Sequence, residues 1–415
     1  MNGSQRFYYG WRIVAALALT QTVGFGVLYY AFSVFVLPME SELGWTRAQT
    51  SSAFSLGLLV AGLTAVPVGH LVDRQGARLV MTLGSLLGAG LFLAWSQVTT
   101  LLGLYLIWAA LGLAMSTTLY DVAFTVVAVW FRRHRARTVF AVTMVAGLAS
   151  TIFIPLTTLL VTQLGWRSAL VVLATILALT AVPLHALVLR RHPRALGLEP
   201  DGSSQALSAT QAAPEPSVPA GAAFRTSSFW WLAAAFALVR LSFAAMGARL
   251  VPLLLERGYT PALVALAVGA IGPLQLLGRA FFLPLNSRWP VDHLTAAMFA
   301  CVAAAFVALV LVPGMVGVGV FVVLYGASNG ATTLARAEIV ARRYGPANYG
   351  SINGALAFSI SLAGAFAPFG AGVAYAVTGG YDLVLWLLAV AAAMGMIAVM
   401  RSRVPAVNAA DNAGI

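Results

Sequence analysis

Apolar residues run along this chain in long blocks separated by short polar stretches. A block needs about 20 mostly apolar residues to cross a bilayer as a helix. Counting predicts twelve, over 12–38, 48–70, 79–98, 101–130, 138–162, 167–189, 229–255, 262–285, 293–313, 315–341, 350–376 and 382–400. Several blocks contain glycine and proline, among them Pro67, Pro155, Pro273 and Pro368. Membrane helices accept both, because neighbours re-satisfy the backbone and small residues permit close packing. Residues 190–228 break the pattern: Pro193, Pro200, Pro214, Pro216 and Pro219 stand among Ser, Ala, Gln and Gly. Such a composition buries too little apolar surface to order itself. The expectation is an all-α membrane protein with twelve transmembrane helices in two pseudo-symmetric bundles. Residues 1–189 hold six helices, 190–228 form a flexible linker, 229–403 hold six more, and 404–415 are a disordered tail.

The polar breaks repeat. Glu42-Leu43-Gly44-Trp45-Thr46-Arg47-Ala48 returns as Glu256-Arg257-Gly258-Tyr259-Thr260-Pro261-Ala262, about 214 residues on. Thr117-Thr118-Leu119-Tyr120-Asp121 returns as Thr332-Thr333-Leu334-Ala335-Arg336, and Gly165-Trp166 as Gly380-Tyr381. A duplicated bundle of apolar helices is the plan of many secondary transporters, with the substrate between the halves near mid-membrane.

Composition agrees. The chain is 60% apolar with 9% charged residues, against about 25% charged in soluble domains, so its solvent is largely lipid. The polar and aromatic first residues predict no cleaved leader. A single cysteine, Cys301, excludes intramolecular disulfides and cysteine-based metal clusters. No histidine pair has metal-ligand spacing, and no P-loop or covalent-catalysis motif is present. No metal, cofactor or enzymatic activity is therefore expected.

The net charge of +12 comes from 24 arginines with no lysine. Seventeen lie in alternate loops and terminal segments, three (Arg47, Arg167, Arg257) lie in the opposite set, and four fall inside apolar blocks. Arginine-rich short loops stay cytoplasmic, so both termini are expected inside. The excess is a topology signal and does not point to nucleic acid.

Gly69-His70-Leu71-Val72-Asp73-Arg74-Gln75-Gly76-Ala77-Arg78 fills the loop between the second and third blocks. This G-x-x-x-D-R-x-G-x-R string resembles that of the major facilitator superfamily, and the resemblance covers the whole chain. It implies a latch formed by Gly69, Asp73, Arg74, Gly76 and Arg78, with Asp73 near a positive helix end and Arg74 near a carboxylate. The second half keeps only an arginine there, in Asn286-Ser287-Arg288. Tyr9-Gly10-Trp11, Leu43-Gly44-Trp45-Thr46-Arg47-Ala48-Gln49 and Gly278-Arg279 resemble bacterial members of the monocarboxylate and oxalate/formate type. That likeness implies a multi-pass protein of the bacterial inner membrane, with Arg279 holding a substrate carboxylate. Animal members have an aspartate where this chain has Gln275. They also have a helix-1 lysine, whereas no charge stands here between Arg12 and Glu40.

Charge inside a membrane costs at least ~2.5–3.5 kcal/mol and marks a partner or a function. The guanidinium of Arg279 suits bidentate carboxylate binding or an ion pair to another helix, and Gln275 lies one turn away on the same face. The resemblance implies that helices 1, 4, 7 and 10 line the cavity. Asp121 and Arg336 are then symmetry mates facing one path, as a gate or as a permanent salt bridge. Thr117 and Tyr120 share the face of Asp121, and Asn329 and Thr333 that of Arg336. Arg240 is aimed at the cavity, Arg249 is a gate candidate near the outer end, and Tyr29 shapes the pocket.

Four arginines against Asp121 and Glu338 within the spans favour a small anion. The sequence thus predicts a monomeric secondary transporter of a small monocarboxylate-like anion, coupled to a proton or counter-anion, with the bilayer as its other partner. The alternative is a proton-coupled exporter of drugs or toxic compounds. The glycine-proline signature of drug antiporters is missing from helix 5, where Gly147-Leu148-Ala149-Ser150-Thr151-Ile152-Phe153-Ile154-Pro155 stands.

Overall fold

A computed structural model describes residues 8–202 and 217–403, with Ala248 described by its backbone alone. Among the described residues, twelve helices are long and apolar enough to cross a membrane. They are α1 (Tyr9–Leu43), α2 (Arg47–Gln75), α3 (Ala77–Ser96), α4 (Leu101–Trp130), α5 (Arg135–Leu164) and α6 (Trp166–Val188). After them come α7 (Ser227–Glu256), α8 (Pro261–Arg288), α9 (Val291–Leu311), α10 (Gly314–Tyr344), α11 (Tyr349–Thr378) and α12 (Asp382–Arg401). No strand occurs among the described residues.

Polar signals set the ends. Gly44 takes a φ of 71°, which favours glycine. Thr46 then caps α2: its hydroxyl accepts from Gln49 N at 3.3 Å, while Gln49 Oε1 accepts from Thr46 N at 2.9 Å. That reciprocal pair is a capping box. Thr100, Thr226 and Thr260 cap α4, α7 and α8 through single bonds.

Three helices of the first half are interrupted. In α1, residues Gly26–Tyr30 form a π-helical turn. In α4, Leu119 is extended (φ −85°, ψ −165°) between Leu101–Thr118 and Tyr120–Trp130. In α5, a turn at Gly147-Leu148 separates Arg135–Ala146 from Ala149–Leu164. An interrupted membrane helix must find partners for the backbone groups it frees. At α4, Gln21 Nε2 donates to the Thr118 carbonyl at 2.7 Å.

The segment expected to be a flexible linker is structured in part. Pro193–Leu196 and Pro200–Gly202 are 3-10 turns, Ala220–Phe224 is a short helix, and α7 has begun by Ser227. The polar composition underestimated this order because its anchors are hydrogen bonds to a distant loop. Residues 203–216 and the expected tail at 404–415 lie outside the described residues.

The chain divides into two compact units. The amino-terminal unit holds residues 1–219 together with 340–365, so the first part of α11 groups with α1–α6. Its core is aromatic: Phe35, Phe92, Trp95 and Trp108 are fully buried, and Trp95 and Trp108 meet edge-on at 5.1 Å. The second unit holds 220–339 and 366–415. Buried Phe236, Phe299, Phe306 and Tyr325 pack its interior, with Phe236 edge-on to Phe299 at 5.5 Å. In lipid, such helices associate through packing and small-residue contacts, since leaving water drives nothing there.

Candidate transport site

In the amino-terminal unit, the interruptions of α1 and α4 gather aromatic side chains. The Phe25 ring lies 4.4 Å from Tyr120 and 6.3 Å from Tyr29. Tyr29 also meets Phe54 at 5.3 Å, and Tyr120 stacks on Phe124 at 5.0 Å. Tyr29 and Tyr120 thus join through Phe25 into one half-buried cluster. Asp121 follows in the first turn of the inner α4 segment, and its Oδ1 accepts from Asn353 Nδ2 of α11 at 2.9 Å.

The break corrects the sequence reading of α4. Thr117 was expected on one continuous helical face with Tyr120 and Asp121, but the extended Leu119 ends that register. Thr117 is buried, and its hydroxyl donates back to the Leu113 and Ala114 carbonyls. Ser116 and Thr118 do the same toward Leu113 and Ala114. Three successive hydroxyls competing for the carbonyls of one turn weaken it.

In the second unit, α8 and α10 approach backbone to backbone. A Cβ on Gly278 would fall on the Ala327 carbonyl, and one on Gly330 would fall on the Gln275 carbonyl. This crossing sets Gln275 and Arg279 of α8 beside the stretch of α10 that carries Asn329. Arg279 is 8% exposed, while Gln275 and Asn329 are half-buried. Because α10 is continuous, Asn329, Thr333 and Arg336 keep their shared face. Arg240 is exposed midway along α7. Arg249 lies against α11, where a Cβ on Gly372 would meet its Nη2 at 2.8 Å.

The latch residues assemble within the amino-terminal unit. Asp73 Oδ1 accepts from Gly350 N at 2.8 Å, and Oδ2 accepts from Ser351 N at 2.7 Å and Ser351 Oγ at 2.6 Å. A carboxylate thus caps the first turn of α11, where the helix dipole favours negative charge. Gly69 makes room for it, since a Cβ there would strike the Gly350 carbonyl. Gly76 takes a φ of 85° at the turn into α3. Arg78 Nε donates to the Ala186 carbonyl at 2.7 Å. Arg74 departs from expectation: its side chain is exposed and meets no carboxylate among the described residues, while its carbonyl accepts from Arg191.

Sequence reading missed Gln21, Asn353 and Ser351. Each is a buried polar residue inside an apolar helix, which is itself a signal of function or of a partner. Their partners, however, are brought in only by tertiary packing.

Residues 17–368 match the family model of the Major Facilitator Superfamily. An uncharacterized 38 kDa protein of the 23S RNA operon of Thermoproteus tenax is 27% identical over 91% of this chain and 92% of its own length. Monocarboxylate transporter 12 of Mus musculus is 29% identical over 40% of this chain, and the match spans 34% of that transporter. Among solved structures, the fucose:proton symporter FucP of Escherichia coli aligns with a TM-score of 0.71 at 16% identity, covering 96% of this chain and all of that one. The human organic anion transporter MFSD10 aligns at 0.70 and 14% identity, covering 94% and 99%. With its twelve spans and a family match over most of its length, the chain belongs to the Major Facilitator Superfamily of membrane transporters, which are not enzymes.

Proposed function

We propose that the protein moves a small organic anion, monocarboxylate-like, across the membrane by alternating access, coupled to a proton or a counter-anion. The observation that carries this reading is Arg279, buried at mid-helix beside the glycine-built crossing of α8 and α10. A guanidinium held there offers a planar pair of donors to a carboxylate in a setting of low dielectric. Gln275 adds a donor one turn away, and Arg240 and Asn329 supply field and polarity. Tyr29 and Tyr120 of the amino-terminal unit are assigned to substrate contact in this reading. The partial likeness to a protein named as a monocarboxylate transporter supports the same substrate class.

Asp121 is the coupling residue of this scheme, with Arg336 and Arg249 as gate residues. Asn353 ties Asp121 to α11 through its side-chain amide. Asp73 and Asp121 therefore grip the same first turns of α11, one through backbone N–H groups and one through Asn353. Loss of the second grip loosens the segment that the first one caps. Among the remaining latch residues, Gly69 keeps that contact close, Gly76 and Arg78 shape the turn into α3, and Arg74 is exposed beside it. On the arginine asymmetry of the sequence, both termini face the cytoplasm of a bacterial inner membrane, and the working unit is a monomer.

The test is flux into proteoliposomes with a panel of carboxylates, with and without a pH gradient. Arg279→Gln is expected to abolish carboxylate uptake while leaving the thermal unfolding profile intact. Movement of only neutral or cationic compounds by the native protein overturns the reading.

A further inference from the structure

A cavity of about 1020 Å³ opens at the arginine-rich end of the amino-terminal unit. None of the substrate or gate residues lines it, although Asp73 and Gly76 of the latch do. Its walls carry Arg132, Arg133, Arg190, Arg191 and Arg194 against three carboxylates, Asp73, Glu199 and Asp201. The order comes from the strap that sequence composition had given as flexible. Asp201 Oδ2 accepts from the backbone N–H groups of Arg132 and Arg133 at 3.0 and 2.7 Å, and Oδ1 from His134 N at 3.2 Å. His134 Nδ1 lies 3.1 Å from the same oxygen. Three successive N–H groups at the start of α5 thus converge on one anionic group, the arrangement that binds phosphate at helix ends.

Several cations around this point are already engaged. Arg190 donates to the Leu187 and Leu189 carbonyls, Arg191 to that of Arg74, and Arg194 to Glu199. The exposed side chains of Arg132 and Arg133 form no ion pair among the described residues. Burial, with Arg191 and Arg194 nearby, holds the His192 imidazole below its usual range. Asp201 itself sits at a φ of 61°, in the left-handed region that non-glycine residues seldom adopt. Its four polar contacts offset that local cost.

We propose that this cavity is an anion site distinct from the transport path. It takes a phosphate group borne by a membrane lipid or by a soluble polyanion, which Arg132 and Arg133 hold, and the Asp201 carboxylate competes for its innermost donors. Because Asp73 lines the same space, occupancy bears on the turn that feeds the latch. The site stands or falls independently of the transported substrate.

The experiment uses the full-length protein in nanodiscs. One arm measures binding of radiolabelled inorganic pyrophosphate by equilibrium dialysis in phosphatidylcholine discs. The other counts lipids retained by native mass spectrometry after reconstitution with phosphatidylglycerol. Saturable binding near one per chain is expected in at least one arm: retained lipid points to a headgroup, and pyrophosphate binding to a soluble ligand. Arg132→Gln with Arg133→Gln is expected to weaken binding about tenfold per arginine removed. Asp201→Asn is expected to tighten it. Arg132→Lys with Arg133→Lys, which preserves charge and fold but not the planar fork, is expected to fall between. No saturable binding in either arm, or binding that survives both glutamine substitutions, overturns the site. Weaker binding in Asp201→Asn overturns the competition.

Discussion

At the start of α2, Gly44 takes a φ of 71° and Thr46 caps the helix; at the start of α8, Gly258 takes 81° and Thr260 does the same. Along α4 and α10 the correspondence fails. Ser116-Thr117-Thr118 leads into an extended Leu119, whereas Ala331-Thr332-Thr333 runs on through Leu334 in an unbroken helix. The first half has Gln21 to receive the freed Thr118 carbonyl. The repeat spacing puts Ala235 or Phe236 at that place in α7, and both are buried and apolar. Duplication kept the punctuation of the helices, which is set by local chemistry. It let the middles diverge, where a break needs a partner on another helix.

That contrast can be broken most severely at the glycines. Gly69→Ala forces a methyl into the Gly350 carbonyl and should cost about 1–3 kcal/mol, with uptake falling in step. Gly269→Ala in α8, where an added Cβ meets nothing within 4 Å, should leave both unfolding midpoint and uptake unchanged. Next in size is Gln21→Leu, which strips the Thr118 carbonyl of its donor and should cost about 1–3 kcal/mol. Amide exchange near Leu119 should quicken in that variant. Ala331→Ser in α10 should not open a matching break, because no amide on α7 is placed to receive one. Smallest are the caps. Thr46→Ala removes a reciprocal box and should cost about 1 kcal/mol, against a few tenths for Thr260→Ala, whose single bond is 3.5 Å long. Chemical denaturation in detergent measures both.

The same division governs what could be read from sequence. Twelve apolar blocks and the glycine and threonine signals at their ends follow from nearest neighbours and emerged at the expected places, whereas the stretch Gly69–Arg78, expected as a loop, is helical through Gln75 and again from Ala77. The repeat match at Gly165-Trp166 and Gly380-Tyr381 came within one residue, since the positive φ before α12 falls on Gly379. Asn353 beside Asp121 joins positions 232 residues apart, and Asp201 beside Arg133 joins positions 68 apart. No periodicity encodes such pairs. The π-helical turn at Gly26–Tyr30 was equally silent, because its residues read as ordinary apolar helix. The Ser116-Thr117-Thr118 run did carry a warning of the α4 break, in three hydroxyls drawing on the carbonyls of one turn.

The division of α11 between the two units falls beside a proline. Its stretch to Ala365 packs within the amino-terminal unit and its stretch from Phe366 within the second. Pro368 comes two residues after that handover and has no N–H to offer the Gly364 carbonyl. The helix is therefore one main-chain hydrogen bond short close to where its packing neighbours change, and a bend at that turn breaks least of its ladder.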